Sequence, residues 1–328
     1  MASTRPKVFV SRNDVPHEAI DLLKKTCDLT VVHCTESNWK ELWPKHVKVM
    51  DALYIQSYEK IDAETLDLVG PSLQVVSTQS AGHEHIDRDE CRKRNVHVGN
   101  TPHVQDDAVA EFAVGLTLAA SRRMFEGSRA IFAGDWTTEK WDICWMLGPE
   151  LVGKIVGIVG LGGIGLEIVN RLRAFKVRSF LYYNRRPRMD PLPHDIQYST
   201  FKHLLVNSDI VVVSCPLNPE SRHMFNEVTF KQMKHTSVLV NVSRGEVMDQ
   251  DALYEALKTG TIGCAALDTT VPEHLPKDHP LLALKNCIIT PHMAADGKET
   301  KVKTALMCAE NIIAVLEDKY RRNTSLLC

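Results

Sequence analysis

The chain has 328 residues, enough for about two domains, each with its own core. With 44% apolar and 24% charged residues and a formal net charge of -2, its composition is that of a soluble globular protein. No basic excess points to nucleic acid and no acidic block reads as a solvated tail, so the expected partner is a small molecule, with no nucleic acid and no membrane.

From residue 7 to 99 short β-rich runs alternate with helix-like ones: 8–10 then 16–27, 29–33 then 39–49, 52–56 then 63–69, and 73–77. That rhythm predicts a parallel α/β layer. Thr101-Pro102 is a natural hinge, because proline biases the residue before it away from helix. Asp106 or Asp107 then caps a helix expected to run to about Met124, with Val109, Phe112, Ala113, Leu116 and Ala120 on one stripe. Residues 132–150 hold Trp136, Trp141 and Trp145 among Gly, Asp, Thr and Pro with no clean period, which predicts a loop. Apolar runs resume at 155–159, 179–183, 209–213, 237–242, 262–267 and 286–290, strands enough for a complete dinucleotide-binding domain. A last helix is expected from about Lys298 to Asp318, with Leu306, Ala309, Ile312, Ile313 and Leu316 at helical spacing.

Gly160-Leu161-Gly162-Gly163-Ile164-Gly165 follows the first of these later strands and opens a helix-like segment, the context in which G-x-G-x-x-G marks a dinucleotide site. Glycine there permits a tight turn and close backbone approach to a pyrophosphate at a helix N-terminus. The fingerprint begins only at residue 160, so a different α/β unit precedes the nucleotide domain. The expected architecture is therefore α/β and two-domain. A Rossmann-type dinucleotide-binding domain spans 104–292, and a discontinuous, flavodoxin-like α/β substrate domain is built from 1–103 and a returning C-terminal helix in 293–328.

Three polar residues sit in breaks after apolar runs: Arg244, Glu273 and His292. Reduction of a 2-oxo acid needs a hydride donor, a cation for the substrate carboxylate and an acid for the carbonyl oxygen. A planar, always charged guanidinium suits the carboxylate, and histidine suits proton donation near neutral pH. A carboxylate such as Glu273 beside His292 would stabilise the imidazolium and keep the acid loaded. The Ser80-Ala81-Gly82 loop is either a substrate loop, since glycine lets backbone N–H groups approach a carboxylate, or a plain strand-to-helix turn. His83 and His85 flank Glu84 at a spacing that diverges on a strand, and no H-E-x-x-H helix is present, so no metal is expected. His279 is assigned to a turn.

The second nucleotide-domain strand runs into Asn184-Arg185-Arg186-Pro187-Arg188, with no carboxylate until Asp190. NAD-specific folds place an Asp or Glu there to bind the ribose hydroxyls. A corner of positive sign, in which Arg185 and Arg186 pair with a 2′-phosphate and Asn184 bonds a ribose or phosphate oxygen, predicts NADPH over a weaker NADH.

Nine cysteines with no C-x-x-C pair argue against a disulfide framework or a zinc ribbon and fit reduced thiols in the cytoplasm. The start enters the strand-like Lys7–Val10 at once, which leaves no room for a signal core, and no apolar run reaches the length of a membrane span. The final Ser325-Leu326-Leu327-Cys328 is not a peroxisomal tripeptide.

Taken together, Ser80–Asp87, Asn100-Thr101-Pro102, Gly160–Gly165, Asn241–Gly245, Ala266-Leu267-Asp268, Pro272-Glu273 and Pro291-His292 resemble the D-2-hydroxyacid dehydrogenases over essentially the whole chain, on the side of the glyoxylate/hydroxypyruvate reductases. The resemblance implies that Arg244 binds and polarises the 2-oxo acid, His292 donates the proton, Glu273 orients and charges it, and Asp268 contacts the nicotinamide carboxamide. It implies that Ala81 and Gly82 hold the substrate carboxylate, and that Ser214, Pro216, Val242 and Ser243 join Arg244 and His292 against the cofactor. It also implies a homodimer in which a loop tryptophan, here assigned to Trp141, reaches the neighbour's substrate. Many relatives have Val-Gly, an apolar residue and Asp where this chain has Ala81-Gly82-His83-Glu84, and Glu-Pro where it has Glu273-His274. Ala294-Ala295 adds methyl groups after the histidine. Two rivals share these residues: a dinucleotide-sensing transcriptional corepressor of the same superfamily and an NAD-linked hydroxyacid oxidiser.

Overall fold

β-Branched runs separated by amphipathic segments give, in the computed structural model, two wholly parallel sheets. The structure describes residues 5–139, 142–317 and 326–327. It divides into two units, 1–105 with 296–328, and 106–295.

The first unit alternates β1 (Lys7–Val10), α1 (His17–Lys24), β2 (Asp28–Val31), α2 (Trp39–His46), β3 (Ala52–Ile55), α3 (Ala63–Val69), β4 (Val75–Thr78), α4 (Arg88–Lys93) and β5 (His97–Gly99). The strand order is β2-β1-β3-β4-β5, the flavodoxin-like winding. Two helix starts are set by side chains: Asp62 accepts from Thr65 N–H ahead of α3, and Asp87 from Glu90 N–H ahead of α4. The twofold period of a strand puts Phe9 on one face with Trp43, Leu53 and Ile55, and Val8 and Val10 on the other with Ala19 and Leu23.

The second unit opens with α5 (Asp106–Ser121) and α6 (Met124–Phe132), then β6 (Ile155–Val159), α7 (Gly163–Leu172), β7 (Ser179–Tyr183), β8 (Ile196–Tyr198), α8 (Phe201–Asn207), β9 (Ile210–Val213), α9 (Glu227–Phe230), β10 (Val238–Asn241), α10 (Gln250–Lys258), β11 (Cys264–Leu267) and β12 (Cys287–Ile289). The order β12-β11-β10-β9-β6-β7-β8 is the Rossmann winding extended by one strand, with its switch point between β6 and β9. Val156 and Ile158 of β6 pack into the core under α5 and α7, while Val159 turns to the core on the opposite face.

The helix expected to reach Met124 stops at Ser121. Arg123 is left-handed at φ 52 and grips Glu126 through two hydrogen bonds of 2.8 Å. Gly148 lies so close to the Ser121 carbonyl that a Cβ there would sit 1.9 Å from its oxygen. β8 had no distinct apolar run to announce it, because Gln197 and Tyr198 face outward from an edge strand.

The last helix, α11 (Lys298–Leu316), returns to the first unit, packing on α1 and across β3, β4 and β5 through Ala305, Ala309 and Ile312. Leu326 then bridges Gly99 on the open edge of β5. Among the described residues no helix is long and apolar enough to cross a membrane.

Candidate active site

The carboxyl end of β6 runs straight into the glycine turn. Gly160 adopts φ +100, and a Cβ there would lie 2.5 Å from the Cys215 nitrogen, so no other residue fits. Gly162 caps α7 with open space around it, and the N–H groups of the first turn, Gly163, Ile164 and Gly165, lack intrahelical acceptors. Open space above Gly162 at a helix N-terminus is what a pyrophosphate requires. At Gly165 a Cβ would meet the Gly160 carbonyl at 2.5 Å, so the helix can pack this close only without one.

These turns form one wall of a cavity of about 690 Å3 lined also by Asn184, Arg185, Arg186, Ser214, Pro216 and Glu220. The Asn184 carboxamide, expected to bond the nucleotide, is engaged in the protein: Oδ1 accepts from Leu161 N–H at 2.7 Å and Nδ2 donates to the Leu161 carbonyl at 3.3 Å. Arg188 donates to that same carbonyl at 3.0 Å and holds Asp190 in a two-point pair of 2.8 and 2.7 Å. Ser214 Oγ donates to the Gly160 carbonyl at 2.9 Å. Asn184, Arg188 and Ser214 therefore shape the glycine turn from behind. The corner is less positive than the sequence alone suggested, because Glu220, distant in the chain, meets Arg185 at 3.2 Å. Both partners are exposed, so the pair is weak and screened. Cys215 lies on the cavity wall with its thiol pushed up to about 11 by burial, which keeps it neutral.

Three adjacent strands supply the polar chemistry at the same sheet edge. After β10, Asn241 Nδ2 donates to the Arg244 carbonyl at 3.0 Å, Ser243 Oγ donates to Asn241 Oδ1 at 2.7 Å, and buried Val242 donates its N–H to Val213 at 3.1 Å. Arg244 Nη1 donates to the Ser243 carbonyl at 2.9 Å. After β11, Asp268 is buried, and its carboxylate accepts from Thr290 Oγ1 at 2.6 Å, Met293 N–H at 3.0 Å and Ala294 N–H at 2.8 Å. After β12, His292 is left-handed at φ 50, its N–H bonded to the Asp268 carbonyl at 2.9 Å. Asp268 thus stitches down the segment that carries the histidine, a stronger engagement than a nicotinamide contact alone would need. His292 Nδ1 is hydrogen-bonded to Glu273 Oε1, and Thr270 Oγ1 fixes the loop bearing that carboxylate through the carbonyls of Pro272 and Glu273 at 2.9 and 3.1 Å. With Nδ1 engaged, Nε2 is the ring atom open to proton exchange, and the side chain is half-exposed.

The structure brings Arg244, Asp268, Glu273, His292 and the glycine turn to the carboxyl edge of one sheet, the edge at which open α/β sheets bind ligands. Ala81 and Gly82 follow β4 in the other unit. Trp141 lies outside the described residues. His279 caps a 3-10 turn, its Nδ1 accepting from Leu281 N–H at 3.3 Å. Sequence reasoning missed Arg188, Thr290 and Glu220. The first two had a signal, one lying in the Arg-rich run and the other two positions before the histidine, but nothing linked Glu220 to a strand end behind it in the chain.

A Rossmann-wound sheet with a glycine turn that fits a dinucleotide and a carboxylate-paired histidine at the same edge defines a nucleotide-dependent oxidoreductase. Residues 114–294 match the family model of the D-isomer specific 2-hydroxyacid dehydrogenase NAD binding domain. The chain is 42% identical to a glyoxylate reductase of Thermofilum pendens over 95% of its length and 92% of that protein's. It is 38% identical to a human glyoxylate reductase/hydroxypyruvate reductase over 94% of both. The TT0316 protein of Thermus thermophilus superposes with a TM-score of 0.89 at 33% identity, over 98% of this chain and all of that one. The chain belongs to the D-isomer specific 2-hydroxyacid dehydrogenase family and is glyoxylate reductase-like.

Proposed function

We propose that this protein reduces small 2-oxo acids, glyoxylate to glycolate and hydroxypyruvate to D-glycerate, with NADPH as the reductant. The observation that carries the reading is His292 held on Glu273 and stitched down by Asp268 at the edge where the glycine turn opens. Bound in the cavity, the reduced nicotinamide supplies the hydride for the carbonyl carbon. His292 Nε2 gives its proton to the carbonyl oxygen, and Glu273 on Nδ1 balances the imidazolium charge before transfer. The Arg244 fork binds the substrate and polarises its carbonyl, while the backbone N–H groups of Ala81 and Gly82 take the carboxylate. After transfer the half-exposed imidazole regains a proton from water. Preference for NADPH is supported by the absence of a carboxylate at the end of β7 and by Arg186, which has no acidic partner among the described residues.

The working form in this reading is a homodimer. Phe132 and Ile143 are more than nine-tenths exposed and Trp136 is also exposed, apolar surface at and after α6 that a second subunit would cover. Trp141 is assigned to the neighbour's substrate. Nine scattered cysteines with no C-x-x-C pair support a cytoplasmic setting.

Initial rates on a panel of 2-oxo acids with NADPH and with NADH test the reading. Turnover of glyoxylate and hydroxypyruvate, faster with NADPH at limiting cofactor, is expected. No turnover of any 2-oxo acid overturns it, equal efficiency with both cofactors removes the NADPH assignment, and a monomer in sedimentation at micromolar concentration removes the dimer.

A further inference from the structure

The turn Ser80–Gly82 has all three carbonyl oxygens engaged by donors of its own unit. Thr101 N–H donates to the Ser80 carbonyl at 2.9 Å, Asn100 Nδ2 to the Ala81 carbonyl at 2.8 Å, and Ser80 Oγ to the Gly82 carbonyl at 2.6 Å. The N–H groups of Ala81 and Gly82 have no acceptor among the described residues. With each carbonyl already engaged and these two N–H groups unengaged, the turn presents donors first, the polarity an anion needs.

Two relays reach this turn. Asn100 is buried, and its own carbonyl accepts from Asn311 Nδ2 at 2.9 Å, so an amide chain runs from α11 through Asn100 to Ala81. α11 comes this close only because residue 99 is glycine: a Cβ there would sit 2.7 Å from Asn311 Nδ2. The second relay is fixed by counting protons. A hydroxyl has one, and that of Ser80 goes to the Gly82 carbonyl. The 3.0 Å contact between Thr78 and Ser80 is then donated by Thr78, and the 3.1 Å contact between His85 Nε2 and Thr78 is donated by the imidazole. His85 thus carries a hydrogen on Nε2 and donates into a one-way chain through Thr78 and Ser80 to Gly82.

We propose that Asn100, with Asn311 behind it, and His85, acting through Thr78, are positioning residues that hold the Ser80–Gly82 turn with its N–H groups presented to the substrate carboxylate. The inference rests on the reading that Ala81 and Gly82 bind that carboxylate. None of the four touches the reacting atoms. Their effect is on where the two donors point, which enters ground-state and transition-state binding alike and so moves KM before kcat.

The test is the full chain with Thr78→Val, an isosteric change that breaks the hydroxyl chain at its middle, and Asn100→Ala, which removes the donor to Ala81. KM and kcat are read for glyoxylate and hydroxypyruvate, NADPH affinity by fluorescence titration, and Tm as a check on folding. A KM raised roughly tenfold with kcat within about twofold, unchanged NADPH affinity, and recovery of KM in Thr78→Ser are expected. Gly99→Ala, which pushes Asn311 aside, reaches the amide relay without altering any member of it and should raise KM in the same sense. An active wild type whose KM is unmoved in folded Thr78→Val and Asn100→Ala overturns the assignment and leaves the proposed function standing. A wild type inactive on every 2-oxo acid overturns both.

Discussion

After β6 the seven-stranded sheet opens into Gly160–Gly165, and after β4 the five-stranded sheet opens into Ser80–Gly82. Both turns offer backbone N–H groups beyond the end of a parallel strand. In the first the chain does this by itself: a left-handed glycine, an uncovered glycine and a helix N-terminus lie within six consecutive residues. In the second no helix starts until Arg88, and the turn is held by side chains from residues 85, 100 and 311. Backbone conformation holds the first turn, and polar side chains from residues 85, 100 and 311 hold the second. A turn of the first kind fails when one glycine gains a side chain; the second fails when any one of several remote donors is lost.

Under the proposed function, the largest effect should fall on His292 and the residues beside it. His292→Ala is expected to lower kcat about a hundredfold or more by removing the proton donor, and Arg244→Ala to damage KM and kcat together because the cation binds the substrate in the ground state and holds the charge developing on its carbonyl oxygen more strongly in the transition state. Glu273→Gln, which keeps a hydrogen-bonding group at Nδ1 but not the charge, should fall between wild type and His292→Ala. Steady-state kinetics on glyoxylate check all three, and wild-type rates in His292→Ala would place the acid elsewhere.

The glycine turn itself can be split into fold and ligand. Gly160→Ala combines φ +100 with a clash against the Cys215 backbone, so it should cost about 2 kcal/mol or more of stability. Gly162→Ala meets nothing within 4 Å and should leave Tm unchanged while weakening NADPH binding about tenfold or more, because its methyl occupies the open space above the helix start. Thermal melts paired with cofactor titration separate the two, and equal losses of Tm would erase the distinction.

In the first unit burial creates a pH dependence of stability that the glycine turn lacks. Glu59 is fully buried, accepting from Ser11 Oγ and Gln56 N–H at 2.7 Å each, while its other oxygen has no partner among the described residues. Burial pushes its carboxyl from an ordinary 4.5 up to about 7. The folded chain therefore keeps a proton that the unfolded chain releases above pH 4.5, so this contribution is complete below about pH 4.5 and is lost as pH rises to about 7. The loss amounts to about 3 kcal/mol. Glu59→Gln should flatten the fall in denaturation free energy between about pH 5 and 8, as measured by urea unfolding across that range; an unchanged slope would assign it to another group.

The smallest effect concerns cofactor choice. Replacing Arg185 and Arg186 together by Ala should raise the NADPH KM about tenfold and leave NADH nearly unchanged. Glu220→Gln should do the reverse, lowering the NADPH KM by a factor of about two, since the pair it breaks with Arg185 is exposed. A Glu220→Gln variant with a higher NADPH KM would show that the carboxylate orders Arg185 rather than neutralising it.

The sequence by itself determined what lies within a few residues: the alternation of strands and helices, the glycine turn, and Arg244, Glu273 and His292 each placed after an apolar run. These follow from local periodicity and from the conformational needs of single residues, which a linear reading can see. Tertiary structure decided which polar groups are shared. The place of Asn184 after β7 predicts a ligand contact; that its carboxamide also holds Leu161, 23 residues earlier, is visible only in the fold. The resemblance implies a nicotinamide contact for Asp268; that its carboxylate also anchors the backbone carrying His292 is visible only in the fold. Asn311 reaches Asn100 across 211 residues because α11 folds back onto β5 at a glycine. Once buried, a donor or acceptor must find whatever partner the packing brings within about 3 Å, and packing joins residues whose separation along the chain carries no trace of their meeting.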